Sequence, residues 1–164
     1  MSEGRLGEIQ TSLLAKSRLF RRSLHIRHID TGSDGAVESE IQALTNPYYD
    51  LNRLGFFFTP SPRHADIVLV TGAVTREMEI PLRRTLDLVP EPRAVVAAGT
   101  AACGGGLESG ARVLGGVDRV VPVDVWVPGD PPSPLSLLHA LLLAVDRVEQ
   151  KLQHQRRPAG GGRP

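Results

Sequence analysis

Sulfur is nearly missing from this 164-residue chain, which holds one cysteine, Cys103, and two methionines. A single cysteine excludes an intrachain disulfide and any thiolate cage built from this chain alone, and the scarcity fits a reducing compartment. Aromatic residues are few: four Phe, two Tyr and one Trp are too sparse for the base-stacking platform of an RNA binder. The formal net charge is only +1, so bulk electrostatics give no case for a nucleic-acid partner. The longest apolar stretch, Leu135 to Val145, is interrupted by Ser136 and His139 and falls short of the roughly 20 residues a membrane-spanning helix needs. The start of the chain shows no charged segment leading into an apolar one, the pattern of a secretory signal. A soluble or membrane-peripheral domain is the expectation.

What is present suits one globular core. With 41% hydrophobic and 23% charged residues, the chain has the makeup of a single domain. Charge is unevenly placed. Up to Ile29, six basic residues face only Glu3 and Glu8, and after Asp146 five basic residues face only Glu149, so basic ends flank an acidic body. Such ends are solvated tails or docking arms for acidic subunits or anionic lipid. Residues 1–23 form the first arm, where Leu6, Ile9, Leu13 and Phe20, with Leu24 after them, recur at helical spacing. That amphipathic helix either lies on a partner or membrane surface or packs back on its own domain. Residues 24–153 are the domain, and residues 154–164, rich in Gly, Pro and Arg, read as a disordered basic tail.

Within the domain, short apolar runs alternate with helical patterns. Strands are expected at Leu24–Ile29, Gly55–Thr59, Ile67–Thr71, Ala94–Gly99 and Arg119–Val123. Helices are expected at Val37–Leu44, at Arg76–Leu88 with Thr75 as N-cap, and from Pro134 to about Gln153 with Ser133 as N-cap. Pro81 predicts a kink or late start in the second helix. Strand–helix alternation implies an α/β fold with a short, mostly parallel sheet.

In such a sheet the binding crevice lies at the carboxyl ends of the strands, which selects the loops Asp30–Val37, Gly99–Glu108 and Asp124–Ser133. The run Gly99 to Gly106 offers backbone N–H groups to an anion, but it lacks both the dinucleotide Gly-x-Gly-x-x-Gly pattern and a phosphate-loop lysine. Nucleotide binding is a weak reading. His25, His28, His64, His139 and His154 show no tight metal-ligand spacing, and His25 and His28 read as structural.

At these same loops the sequence resembles the small iron–sulfur subunit shared by complex I, where it is the 20 kDa subunit of NADH-quinone oxidoreductase, and by group 4 membrane-bound nickel–iron hydrogenases. The resemblance covers about residues 23–143. It rests on His25-Ile-Arg-His-Ile-Asp-Thr-Gly-Ser33, Glu38-Ser-Glu-Ile-Gln-Ala-Leu44, Asn46-Pro-Tyr-Tyr-Asp50, Ser61-Pro-Arg-His-Ala-Asp-Ile-Val-Leu-Val-Thr-Gly72, Leu114-Gly-Gly-Val-Asp118, Pro122-Val-Asp124 and Pro128-Gly129 before Pro131-Pro132. It leans to the hydrogenase-like branch. The resemblance implies a flavodoxin-like three-layer fold, one 4Fe-4S cluster held by four cysteines, and a neighbouring large subunit carrying quinone or nickel–iron chemistry.

This chain departs from that pattern at every ligand. The four cysteine positions read Asp34, Val37, Ala101 and Asp130. Valine and alanine offer no donor atom, and two carboxylates do not hold a cubane, whose iron demands thiolate with occasional histidine. No cofactor, no metal and no catalytic residue is therefore expected. Three neighbours of the former pocket are singled out. Cys103 lies two residues past the lost third ligand. Glu38 follows the second and suits a helix N-terminus. Arg63 is read as a loop arginine capping carbonyls or bridging to Asp34 or Asp130. Binding of a hard cation by Asp34 and Asp130 would leave most of its oxygen shell unfilled.

The expected role is a cluster-free structural docking subunit of a membrane-bound, oxidoreductase-like complex. Its implied partners are a large subunit and membrane-arm subunits, and its place is the cytoplasmic face of the membrane as a peripheral protein. Two rivals stand against it. One is an electron-transfer subunit whose 4Fe-4S centre is completed by Cys103 and a partner; the other is a nucleotide binder using the Gly99–Gly106 loop.

Overall fold

The computed structural model describes residues 23–107 and 111–156, together with residues 4, 7–9 and 11. Five parallel strands form the central sheet: β1 (Leu24–Asp30), β2 (Phe56–Phe58), β3 (Ile67–Thr71), β5 (Ala94–Ala98) and β7 (Val125–Val127), in spatial order β2-β1-β3-β5-β7. A two-stranded antiparallel ribbon pairs β4 (Val74–Thr75) with β6 (Val113–Gly115). The helices are α1 (Ala36–Ala43), α2 (Arg76–Leu88), α3 (Thr100–Gly104) and α4 (Pro134–Arg156). With the ribbon set aside, the order is the doubly wound flavodoxin-like one, as the resemblance implies.

The central strands are apolar because both faces are covered. Every residue of β3, Ile-Val-Leu-Val-Thr, and of β5, Ala-Val-Val-Ala-Ala, is buried, the signature of parallel strands packed between two helical layers. Ile26, Leu69 and Val96 turn to one face, where Val37 and Ile41 of α1 meet Leu138, Leu141 and Val145 of α4. Val68, Val70 and Val95 turn to the other, against Leu82 and Leu86 of α2 and against Ala102, Val117, Val120 and Val121. Alternation along each strand thus sorts the core into two layers.

Most expected elements appear within a residue or two of their expected ends. The fifth strand is a correction: Arg119–Val123 is not a strand, and the pairing falls on Val125–Val127. A 3-10 turn occupies Val117–Arg119, and Val120 and Val121 are buried in the second layer as core side chains, so their apolarity reports packing and not strand pairing. Helix α2 begins at Arg76 with Pro81 inside it, so the late start does not occur, and Thr75 flanks it without a side-chain cap bond. Ser133 does cap α4, its hydroxyl accepting the Ser136 N–H at 3.3 Å. Ile9 packs against the first layer, favouring an arm that folds back on its own domain, while most of residues 1–23 and residues 157–164 lie outside the described residues.

Leu138 is 0% exposed between α4 and the sheet. Leu138→Ala is expected to destabilise the domain by about 2–5 kcal/mol through lost burial and a residual cavity, as measured by urea denaturation.

Candidate functional site

All four strand-end positions singled out above converge on one cavity. Asp34, Val37, Ala101 and Asp130 line a space of about 400 Å³ at the carboxyl ends of β1, β3, β5 and β7, together with Ser33 and the backbone at Gly72 and Gly99. Asp34 and Asp130 are exposed at its rim, Val37 is buried in its wall, and Leu107 stands fully exposed beside it.

The loops around the cavity are bonded to one another. Thr31 is fully buried, and its N–H and hydroxyl both donate to the Thr71 carbonyl, at 2.9 and 2.8 Å. The Asp30 carboxylate accepts the N–H groups of Gly32 and Ser33 at 2.9 and 2.7 Å, turning the first loop. Gly99 N–H donates to the Val127 carbonyl and Thr100 N–H to the Gly129 carbonyl, joining the second loop to the third. At Gly72, with φ of +77°, a Cβ would meet Ser33 N at 2.3 Å, so only glycine lets these loops close. The N–H groups of Gly99 and Thr100 are therefore spent on carbonyls, and α3 is five residues long, which removes much of the anion cradle that the nucleotide reading requires.

Glu38 joins a network that the sequence did not announce. Its carboxylate accepts the Ser33 hydroxyl at 2.6 Å and the Thr71 hydroxyl through its other oxygen. Thr71 Oγ1 is also 3.0 Å from His28 Nε2, which stands 3.6 Å from Glu38. The available signal was a polar residue at an inward register position: His28 and Thr71 share a face of the sheet with Ile26 and Leu69. Burial holds the His28 pKa below the ordinary 6.5, outweighing the opposing pull of Glu38 and Asp30, while Arg27 adds to the lowering.

Cys103 does not line the cavity. It is two residues beyond Ala101 on α3, about 200° around the helix, and it packs against the second core layer with its thiol 3.5 Å from the Ala97 carbonyl. Burial raises its pKa, Asp118 adds to the rise, and a backbone hydrogen bond at Val127 opposes it. Arg63 is a correction of place. It lies in the 3-10 turn Pro62–His64 leading into the amino end of β3 and lines a different cavity, with His25, Asp66 and Glu91. The length of β3 separates it from Asp34 and Asp130, so the expected bridge does not form. Asp34 accepts the Ala36 N–H at 3.0 Å, an Asx turn at the start of α1.

The donor set does not fit the cluster that the resemblance implies. Two of the four positions carry hydrocarbon, two carry carboxylate, and the one thiol faces away. Among the described residues, no group of three or more His, Cys, Asp or Glu is placed to hold a metal ion.

Comparison with known proteins places the chain in a family. The profile of the NADH ubiquinone oxidoreductase 20 kDa subunit matches residues 35–144, and the chain belongs to that family. It is 40% identical to formate hydrogenlyase subunit 7 of Escherichia coli over 93% of its own length, spanning 59% of that protein. It is 36% identical to a probable membrane-bound hydrogenase subunit of Pyrococcus furiosus, covering 88% of this chain and 87% of that one. It is also 45% identical over 112 residues to an NADH-quinone oxidoreductase subunit of Rhizobium etli, covering 68% of this chain and 65% of that one. Among solved structures, a chain of the membrane-bound sulfane sulfur reductase, an archaeal respiratory membrane complex, superposes with a TM-score of 0.69 at 26% identity, covering 88% of this chain and 82% of that chain. The resemblance read from the loop motifs is borne out.

Two outcomes follow from this geometry. Neutral His28 contributes stability that is complete above pH 6.5 and is lost as pH falls toward its lowered folded value, so denaturation midpoints should drop from pH 7.5 to pH 5.5 more steeply in the natural chain than in His28→Gln. Cys103 in the folded protein should react with iodoacetamide at least about tenfold more slowly than in the urea-unfolded chain, by mass spectrometry.

Proposed function

We propose that the chain is a cluster-free small subunit that serves as a structural docking piece in a membrane-bound complex of the hydrogenase or complex I type. The observation that carries this reading is the cavity itself: the loops keep their closed arrangement through protein hydrogen bonds, while the four positions that would ligate iron supply two carboxylates and no thiolate. Family membership and the names of the relatives, drawn from hydrogenases, formate hydrogenlyase and NADH-quinone oxidoreductase, support placement in such an assembly.

In this reading the chain relays no electrons and performs no catalysis of its own. Its partners are a large subunit, of the 49 kDa or hydrogenase large-subunit type, and membrane-arm subunits that hold it as a peripheral protein at the cytoplasmic face. Among the described residues no helix is long and apolar enough to cross a membrane, which agrees with attachment through partners. Asp34 and Asp130 give the cavity mouth an acidic rim and Leu107 gives it an exposed apolar point, a combination suited to a partner face that is basic around an apolar contact.

The test is isolation of the membrane-bound assembly from cells carrying an affinity tag on the large-subunit homologue of the same genome. The chain is expected in one-to-one ratio with that protein, and its deletion is expected to break the assembly. Absence of the chain from the assembly, or an intact assembly after its deletion, would overturn the docking role.

A further inference from the structure

The two faces of the sheet are not covered alike at β1 and β2. Leu24, Ile26, Phe56 and Phe58 turn to the first core layer, so alternation sends His25, Arg27 and Phe57 to the opposite face, where His25 pairs in register with Phe57 and Arg27 with Val68. The second core layer on that face takes no described residue from β2. Phe57 is 39% exposed there, with its ring 6.2 Å from the His25 ring, and β2 is the end strand of the sheet.

Cations gather around this aromatic point. The half-buried Arg27 makes no side-chain hydrogen bond or ion pair with any described residue, and its Nε is buried without an acceptor, an arrangement proteins generally avoid unless something else supplies one. At the amino end of β1, a cavity of about 590 Å³ is lined by Ser23, His25, Arg63 and His64, among others. The exposed Arg63 side chain likewise has no described partner. The acids of that cavity are engaged: Asp66 accepts the His25 N–H at 2.9 Å, and Glu91 pairs with Arg93 at 3.3 Å. Arg21 and Arg22 immediately precede Ser23 in the chain. The balance is the reverse of that at the strand-end cavity, whose rim carries Asp34 and Asp130.

An exposed aromatic ring edged by guanidinium groups without partners selects an occupant that is acidic around one apolar side chain. An extended segment meets both demands: laid along the outer edge of β2, it pairs its backbone with the strand and sends alternate side chains to the Phe57 face. We propose that this face docks an extended acidic segment of a partner protein, with Phe57 against its apolar side chain and Arg27 and Arg63 against its carboxylates. The surface is separate from the cavity at the carboxyl ends of the strands and does not rest on the docking reading of that cavity.

Photo-cross-linking in the native cells tests it, with p-benzoylphenylalanine in place of Phe57 in the full chain and the cross-linked peptide mapped by mass spectrometry. The cross-link should fall on one segment of another protein whose residues around the attachment point are net acidic. A synthetic peptide of that segment should then bind the purified natural chain saturably, and more weakly as salt rises. It should bind at least about tenfold more weakly to Arg63→Glu, and the same loss should follow when its acids are replaced by amides. Arg63 is exposed, so Arg63→Glu should keep the thermal midpoint of the natural chain, which separates lost docking from lost folding. Peptide binding is measured on the isolated chain, so its failure is distinct from failure of the assembly reading. Absence of a cross-link overturns the proposal, as does a cross-link to lipid, to a second copy of this chain or to a neutral or basic segment. So does unchanged peptide affinity in folded Arg63→Glu.

Discussion

The paired hydrogen bonds from Thr31 to the Thr71 carbonyl are the constraint on which the strand-end architecture depends. A parallel sheet sends its loops out at one end, where successive backbones need partners that the ladder no longer supplies. Thr31 meets this need with both its N–H and its hydroxyl from a fully buried position. That fixes the first loop against the turn at Gly72, which then has no room for a Cβ. On the far side, the bonds between Gly99 and Val127 and between Thr100 and Gly129 do the same for the second and third loops. An inorganic bridge across the cavity is therefore unnecessary for its shape.

This self-support means that the loops close without a metal to join them. A site held together only by metal would collapse or lose its order when thiolates became valine and alanine, because metal binding in such sites is part of the folding free energy. Here Val37 is buried in the first core layer and joins α1 to the sheet, so a position that the resemblance assigns to a ligand serves packing. Glu38, one residue on, braces Ser33 and Thr71 together. Loops closed by their own hydrogen bonds around a cavity lined by carboxylate and hydrocarbon are what the proposed docking role requires.

Strands β1, β3 and β5 were legible because fully buried parallel strands are written as unbroken apolar runs. The same logic misled at Arg119–Val123, where two valines serve the core from an irregular segment and Pro122 removes a ladder donor, while the true edge strand Val-Trp-Val is three residues long. The ribbon of β4 and β6 is likewise too short to leave a pattern. The cavity was legible from the topology rule together with the loop motifs, and all four positions that the resemblance assigns to ligands line it. Arg63 was not, since a residue preceding β3 belongs to the amino end of the sheet, and loop motifs alone do not state which end they serve. The His28, Thr71 and Glu38 network joins residues up to 43 positions apart, and only the register of β1 on β3 brings them together.

The most direct measurement is anaerobic reconstitution of the purified chain with iron and sulfide, run beside a variant carrying Asp34→Cys, Val37→Cys, Ala101→Cys and Asp130→Cys, with iron, acid-labile sulfide and the visible spectrum recorded. If the cavity is a closed scaffold lacking only its donors, the natural chain stays colourless with far less than one iron per chain, and the variant takes up about four irons with matching sulfide. Uptake of a full cluster by the natural chain would contradict the account at its centre.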